Sequence, residues 1–262
     1  MIRAVIFDMY ETLITHYDSP LYFSTEMAQD GRIPLEQFRK TWRDTDYART
    51  VGELTLEEVL ERIFKEYYGV GADHGTGEYQ DTLDGDAHRR MQEIIRKRTR
   101  VKEELFSHLH PEIIPMLKGL RAEGYLVGLI SNCFSEEAEV IRRSILFPYF
   151  DGVCLSYEQG VAKPDRMIYE KCVEMLSVKP EECLYVGDGG SRELEAAQDC
   201  GMHPVQAVWY FKEGTMQPVG RKEEFVPMET PLEVLRYVKE QNMVGSNSYV
   251  SVDTHQEKER FE

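Results

Sequence analysis

Four short polar segments carry the residues able to do chemistry: Asp8-Met9-Tyr10-Glu11-Thr12, Ser131-Asn132, Gly160-Val161-Ala162-Lys163-Pro164 and Gly187-Asp188-Gly189-Gly190-Ser191. Between them they supply two carboxylates, a hydroxyl and a lysine. In open parallel sheets, ligands bind beyond the carboxyl ends of the strands. The first, second and fourth segments directly follow apolar runs that read as strands, so the segments are expected to converge on one edge. Carboxylates brought face to face resist joint ionisation. A hard divalent cation with oxygen ligands relieves that repulsion, and Mg²⁺ is the usual choice where phosphate is the substrate.

The elements that must position these residues follow a rhythm. Ile2 to Phe7 is a compact apolar run, expected as a parallel strand covered on both faces. From residue 110, His110-Pro111 opens a helix carrying Ile114, Leu117 and Leu120, and Gly124 closes it. A strand from Tyr125 to Ile130 comes next. The helix after Ser135 has Glu136 and Glu137 in its first turn, where carboxylates suit the helix dipole. Then come a strand at Val153 to Ser156, a helix from Asp165 to Leu176, a strand at Cys183 to Val186, a helix to Cys200 and a strand at Val205 to Trp209. Pro231 starts a last helix ending near Gln241. Strands alternating with helices predict an α/β fold with a doubly wound, Rossmann-like parallel sheet.

Residues 15–95 interrupt that alternation with helical patterns. Pro34 opens a helix with Leu35, Phe38 and Trp42. Thr55 and Glu58 form a capping box ahead of Leu56, Val59, Leu60, Ile63, Phe64 and Tyr67, spaced for one helix face. Gly69 to Gly85 is rich in Gly and Asp and reads as a loop, and Met91, Ile94 and Ile95 mark another helix. The expected organisation is a core of residues 1–14 and 96–244, an inserted α-helical cap of residues 15–95, and a polar, mobile tail of residues 245–262.

In order and spacing, the four polar segments resemble the four motifs of the haloacid dehalogenase superfamily. The resemblance covers nearly the whole chain, including a helical cap after the first motif, and the motifs are specific as a set. It implies that Asp8 attacks the substrate and forms a covalent aspartyl intermediate. The main-chain carbonyl of Tyr10 would help hold Mg²⁺. Ser131, the Asn132 backbone and Met9 would bind the transferring group. Lys163 would neutralise Asp8 and the phosphoryl oxygens as a point charge. Asp188 would be a direct metal ligand, and Glu193 would stand at the second acid position, acting through water.

Tyr10 departs from the family's phosphatases, which carry a second catalytic Asp there to protonate the leaving oxygen and then activate water. With a pKa near about 10 a tyrosine can donate a proton but is seldom ionised to accept one. Tyrosine at this position matches the 2-haloacid dehalogenases, whose halide leaving group needs no acid. Those enzymes need no metal, however, and lack the acid arrangement kept here at Asp188 and Glu193. They also use a cap arginine, for which Arg39, Arg43 and Arg49 are available, although each reads more simply as solvated. Glu11 could supply an acid but lies one residue too far along. A phosphatase acting on a small phosphorylated metabolite is favoured. A 2-haloacid dehalogenase and an impaired protein that only binds a phosphorylated ligand remain the alternatives.

Composition narrows the field further. The 262 residues carry a net charge of −16, which opposes binding to nucleic acid or anionic membranes. The basic run Arg96-Lys97-Arg98-Thr99-Arg100 reads as the solvated face of a helix. Five cysteines without CxxC spacing indicate neither a disulfide framework nor a zinc site and fit a reducing, cytoplasmic compartment. Cys133 reads as a buried, inert thiol. The seven histidines are scattered, so a histidine metal site is not expected.

Overall fold

The computed structural model describes residues 1–19, 21–69, 83–213, 217 and 219–256; from residue 244 onward the description covers the backbone alone. The sheet begins with β1 (Ala4–Phe7). Its Val5 and Phe7 enter one core and its Ala4 and Ile6 the other, the period of two expected of a strand buried on both faces.

Among the described residues, five helices follow: α1 (Ser24–Gly31), α2 (Leu35–Asp44), α3 (Asp46–Thr50), α4 (Leu56–Tyr68) and α5 (Gly85–Leu105). They build their own core around Met27, Phe38, Leu60, Phe64, Met91 and Ile94. The α4 start forms as its sequence predicts: Thr55 Oγ1 accepts from the Glu58 amide at 3.2 Å, and Glu58 accepts from the Thr55 amide at 2.8 Å. The Gly69–Gly85 loop lies mostly outside the described residues. Helix α5 is longer than expected and passes unbroken through position 95/96, where the core was expected to resume.

The remaining elements alternate: α6 (Ile113–Ala122), β2 (Leu126–Ser131), α7 (Ser135–Arg143), β3 (Gly152–Leu155), α8 (Ser156–Gln159), α9 (Arg166–Leu176), β4 (Cys183–Gly187), α10 (Glu193–Asp199), β5 (His203–Ala207), β6 (Val226–Met228) and α11 (Pro231–Gln256). The six described strands are all parallel, in the order β3-β2-β1-β4-β5-β6. The fold is a doubly wound α/β sheet with flanking helices. Its topological switch point lies between β1 and β4, where such folds open a crevice for ligands.

Two expectations need correction. The backbone of α11 continues to Gln256 rather than ending near Gln241; with a single Gly245 and no proline, each further residue adds a hydrogen bond to an existing helix. The basic run on α5 is not wholly solvated. Arg98 is buried, as is Lys102 one turn on, because Glu136 and Glu137 at the start of α7 supply counter-charges beneath them. No described helix is long and apolar enough to cross a membrane.

Candidate active site

β1 and β4 run side by side, with Phe7 opposite Val186. The residues just past their ends, Asp8 and Asp188, therefore flank the switch point. The Asp8 amide donates to the Val186 carbonyl at 2.9 Å, holding the first loop in line with the sheet. One carboxylate oxygen from each of Asp8, Asp188 and Glu193 falls within 4.8 Å of the others.

Lys163 comes from the loop between α8 and α9, and its ammonium group enters this cluster. It contacts the Asp8 carboxylate and lies 2.5 Å from Glu193 Oε2, with its side chain 3% exposed. The loop is held by a reciprocal pair: the Asn132 side-chain amide donates to the Lys163 carbonyl at 2.9 Å, and the Lys163 amide donates to Asn132 Oδ1 at 2.8 Å. The second and third segments are thus joined to each other.

Glu193, the first residue of α10, is almost fully buried. Its Oε2 accepts from Tyr185 at 2.8 Å and its Oε1 from the Gly189 amide at 3.0 Å. A Cβ at Gly187 would fall 2.2 Å from Glu193 Oε1, so this close approach requires glycine there. Ser191 and Arg192 both adopt positive φ, 51° and 53°, a conformation that costs a non-glycine residue about 1 kcal/mol or more. The Asp188 loop turns sharply enough to return Glu193 beneath Asp188.

The charges do not balance. Burial and the neighbouring Glu193 push the Asp8 carboxyl up to about 7, although Lys163 works in the opposite direction. Burial, Glu193 and Asp8 push Asp188 up to about 8. Burial lowers the basicity of Lys163, but Asp8 and Glu193 outweigh it and hold the ammonium well above its ordinary range. Three carboxylates around one ammonium group leave room for a further positive charge, and an all-oxygen donor set suits a hard cation such as Mg²⁺.

The other expected residues fall as follows. Ser131 ends β2 and is fully buried, its hydroxyl 3.4 Å from the Asn132 carbonyl. The Met9 side chain is buried in the main core. What Met9 offers is its backbone N–H, which bonds the Asp8 carboxylate. Tyr10 stacks on His16 with ring centroids 4.7 Å apart. Burial, reinforced by Glu137, drives its phenol well above the ordinary value. Glu11, at φ 59°, accepts from Thr15 Oγ1 at 2.6 Å and from the His16 amide at 3.0 Å. These bonds hold its carboxylate on Thr15 and His16. Cys133 is buried, and burial raises its thiol further from ionisation.

Arg49 is 1% exposed, against its reading as solvated. Its guanidinium lies between the Trp42 ring at 3.7 Å and the Phe134 ring at 4.2 Å, and the two aromatic faces offset part of the lost hydration, while burial still lowers its pKa to about 10. Arg39 and Arg43 remain at least a third exposed. Sequence reading missed Tyr185 and Tyr169, whose hydroxyls bond the Glu193 carboxylate and carbonyl. It also missed His16, Lys102 and Glu137, which line a cavity with Tyr10 and Asn132.

Known proteins share this architecture. A family profile for haloacid dehalogenase-like hydrolases matches residues 2–201. The glyceraldehyde 3-phosphate phosphatase of Methanopyrus kandleri is 28% identical over 261 residues, covering 92% of this chain and 98% of the relative. The N-acylneuraminate-9-phosphatase of Homo sapiens is 25% identical over 224 residues, covering 81% of this chain and 84% of its own length. Among solved structures, the 2-haloacid dehalogenase of Pseudomonas syringae pv. Tomato DC3000 superposes with a TM-score of 0.62 at 19% identity, over 92% of this chain and 100% of that one. With the sheet order, the four loops and the profile match in agreement, the chain belongs to the haloacid dehalogenase-like hydrolases.

Proposed function

We propose that this chain is a Mg²⁺-dependent phosphatase of a small phosphorylated metabolite, working through an aspartyl-phosphate on Asp8. The observation that carries this reading is the convergence of Asp8, Asp188 and Glu193 within 4.8 Å around the Lys163 ammonium. The phosphatase names borne by the two relatives support it. Asp8, the Tyr10 carbonyl and Asp188 would hold the metal. Both oxygens of Glu193 already accept hydrogen bonds, so Glu193 would reach the metal through water. The bound cation would neutralise the carboxylates and the phosphoryl oxygens.

In this reading Asp8 attacks phosphorus, Lys163 screens the approaching anions, and Ser131 and the Asn132 backbone hold the phosphoryl group. The helices α1 to α5 act as a cap that excludes water when closed. The test is a panel of phosphate esters and 2-haloacids assayed with Mg²⁺ and with a chelator. Phosphate release that depends on Mg²⁺ and is lost in Asp8→Asn supports the proposal. A second reading, hydrolytic dehalogenation, draws on Tyr10 at the catalytic acid's position and predicts halide release with the chelator present.

A further inference from the structure

A cavity of about 410 Å³ opens beside the Asp8 loops, between them and the helices α1 to α3 and α5. Much of its wall is aromatic. Tyr10 and His16 stack with their planes 18° apart, and Phe23 leans on His16 at 5.7 Å. Trp42 and Phe134 meet edge to face at 6.3 Å. All five rings line the same space.

The cations that line this wall are matched by buried carboxylates. Arg98 lies 2.5 Å from Glu136 and 3.4 Å from Glu137. Lys102 lies 2.7 Å from Glu137, and Arg49 lies 3.1 Å from Asp46. Arg98 and Lys102 are thus matched by Glu136 and Glu137, while Arg49, which does not line the cavity, lies behind the Trp42 and Phe134 rings with only the exposed Asp46 as its counter-ion. A substrate carboxylate entering here would have to break one of the buried pairs of Arg98 and Lys102 or sit against Glu137. Buried charges tolerate neither without a new partner.

A third constraint comes from the leaving oxygen. Tyr10 occupies the position next to the nucleophile where an acid is needed, and Glu11 is engaged by Thr15 and His16. An alkoxide leaving group would depart without a strong acid to protonate it. An aryl oxygen, whose conjugate acid has a pKa of about 10 or less, departs readily as the anion.

We propose that the native substrate is the phosphate ester of a planar, uncharged hydroxyl compound, an aryl or heteroaryl phosphate, and not a small carboxylate-bearing phosphate. The proposal rests on the phosphatase reading above. In the first step an Asp8 oxygen forms a bond to phosphorus as the bond from phosphorus to the aryl oxygen breaks, and the electron pair leaves on that oxygen as an aryloxide. Water then attacks phosphorus. The acyl phosphate is cleaved to inorganic phosphate and the Asp8 carboxylate, and the proton lost from water passes to solvent. The ring would lie among the five aromatic side chains.

The experiment measures phosphate release by the full chain with Mg²⁺ from phenyl phosphate, glycerol phosphate and phosphoglycolate. The expected order of kcat/KM places phenyl phosphate first by about 10²-fold, with phosphoglycolate last. Phe23→Ala and, separately, Trp42→Ala should raise KM for phenyl phosphate about tenfold more than KM for glycerol phosphate, the magnitude of one ring contact. Phe23 is 39% exposed, so its truncation tests the ring contact even if the Trp42 variant fails to fold. Glu137→Gln, which leaves Lys102 less neutralised, should narrow the gap between phosphoglycolate and glycerol phosphate. Equal KM effects on both esters in Phe23→Ala, or phosphoglycolate as the preferred ester, overturns the substrate class while leaving a phosphatase. No Mg²⁺-dependent phosphate release from any ester overturns both.

Discussion

Replacing Asp188 with Asn should make the metal-free protein more stable and the metal-supplemented protein less so. Asp188 is pushed from near 3.8 to about 8 by burial, Glu193 and Asp8. An acid whose folded-state pKa is raised binds more protons folded than unfolded, so stability falls as pH climbs through the window between about 4 and 8. At about 1.4 kcal/mol per pH unit, a fully dry site would lose on the order of 5 kcal/mol by its upper edge. Asp188 is only partly buried, and water screens the charge, so roughly 2 kcal/mol is expected. Asn matches the shape and keeps the acceptor for the Gly190 amide, now at 2.8 Å, while carrying no charge. Urea unfolding in a chelator should therefore show the two proteins alike near pH 4 and the variant more stable by about 2 kcal/mol near pH 8. With Mg²⁺ at about a hundred times its dissociation constant, the wild type should gain about 3 kcal/mol and the variant little. A variant no more stable than wild type near pH 8 in chelator, or one that gains as much from Mg²⁺, would refute the argument that this cluster is short of positive charge.

Other consequences can be checked on the same protein. Tyr10→Asp restores an acid beside the nucleophile and should raise turnover of glycerol phosphate by about 10²-fold or more; steady-state kinetics showing no rise would remove the account of Tyr10 as a handicap for poor leaving groups. Arg98→Met strands the buried Glu136 and leaves Glu137 with Lys102 alone, and should cost about 3–5 kcal/mol in urea unfolding near neutral pH. Burial alone would raise the Glu137 carboxyl, but Lys102 and Arg98 outweigh it and hold it at about 2. Its contribution is therefore complete above the ordinary carboxylate range and is lost as pH falls from about 4.5 toward 2. Thermal melts of the wild type should show that loss, and Glu137→Gln should flatten it.

The sheet could be read from sequence because its strands are nearly continuous apolar runs. Ala4 to Phe7 and Cys183 to Val186 are buried throughout, and Leu126 to Ile130 repeats the pattern on β2. β6 escaped notice because it is three residues long, contains Pro227 and buries only Met228. Helix α5 was foreshortened for a different reason. Its inward positions are apolar at Met91 and Ile94 but cationic at Arg98 and Lys102, so the apolar stripe ends while the buried stripe continues. Glu136 and Glu137 read as dipole-stabilising residues when each helix is considered alone; the packing of α5 on α7 turns them into counter-ions. The four loops were legible because their residue types have few uses together. Tyr185 and Tyr169 were not, because on a strand and a helix they look like ordinary core aromatics until their hydroxyls are seen on Glu193.

The central proposal is that Asp8 bonds to phosphorus, and isotope tracing tests it most directly. The protein is turned over on an aryl phosphate with Mg²⁺ in heavy-oxygen water, and the Asp8 peptide and the released phosphate are weighed by mass spectrometry. An aspartyl-phosphate opened by water at phosphorus predicts label in the phosphate and none in Asp8, with phosphate release abolished in Asp8→Asn. Label accumulating in the Asp8 carboxylate, or phosphate released at an undiminished rate by the Asn variant, would contradict the proposal.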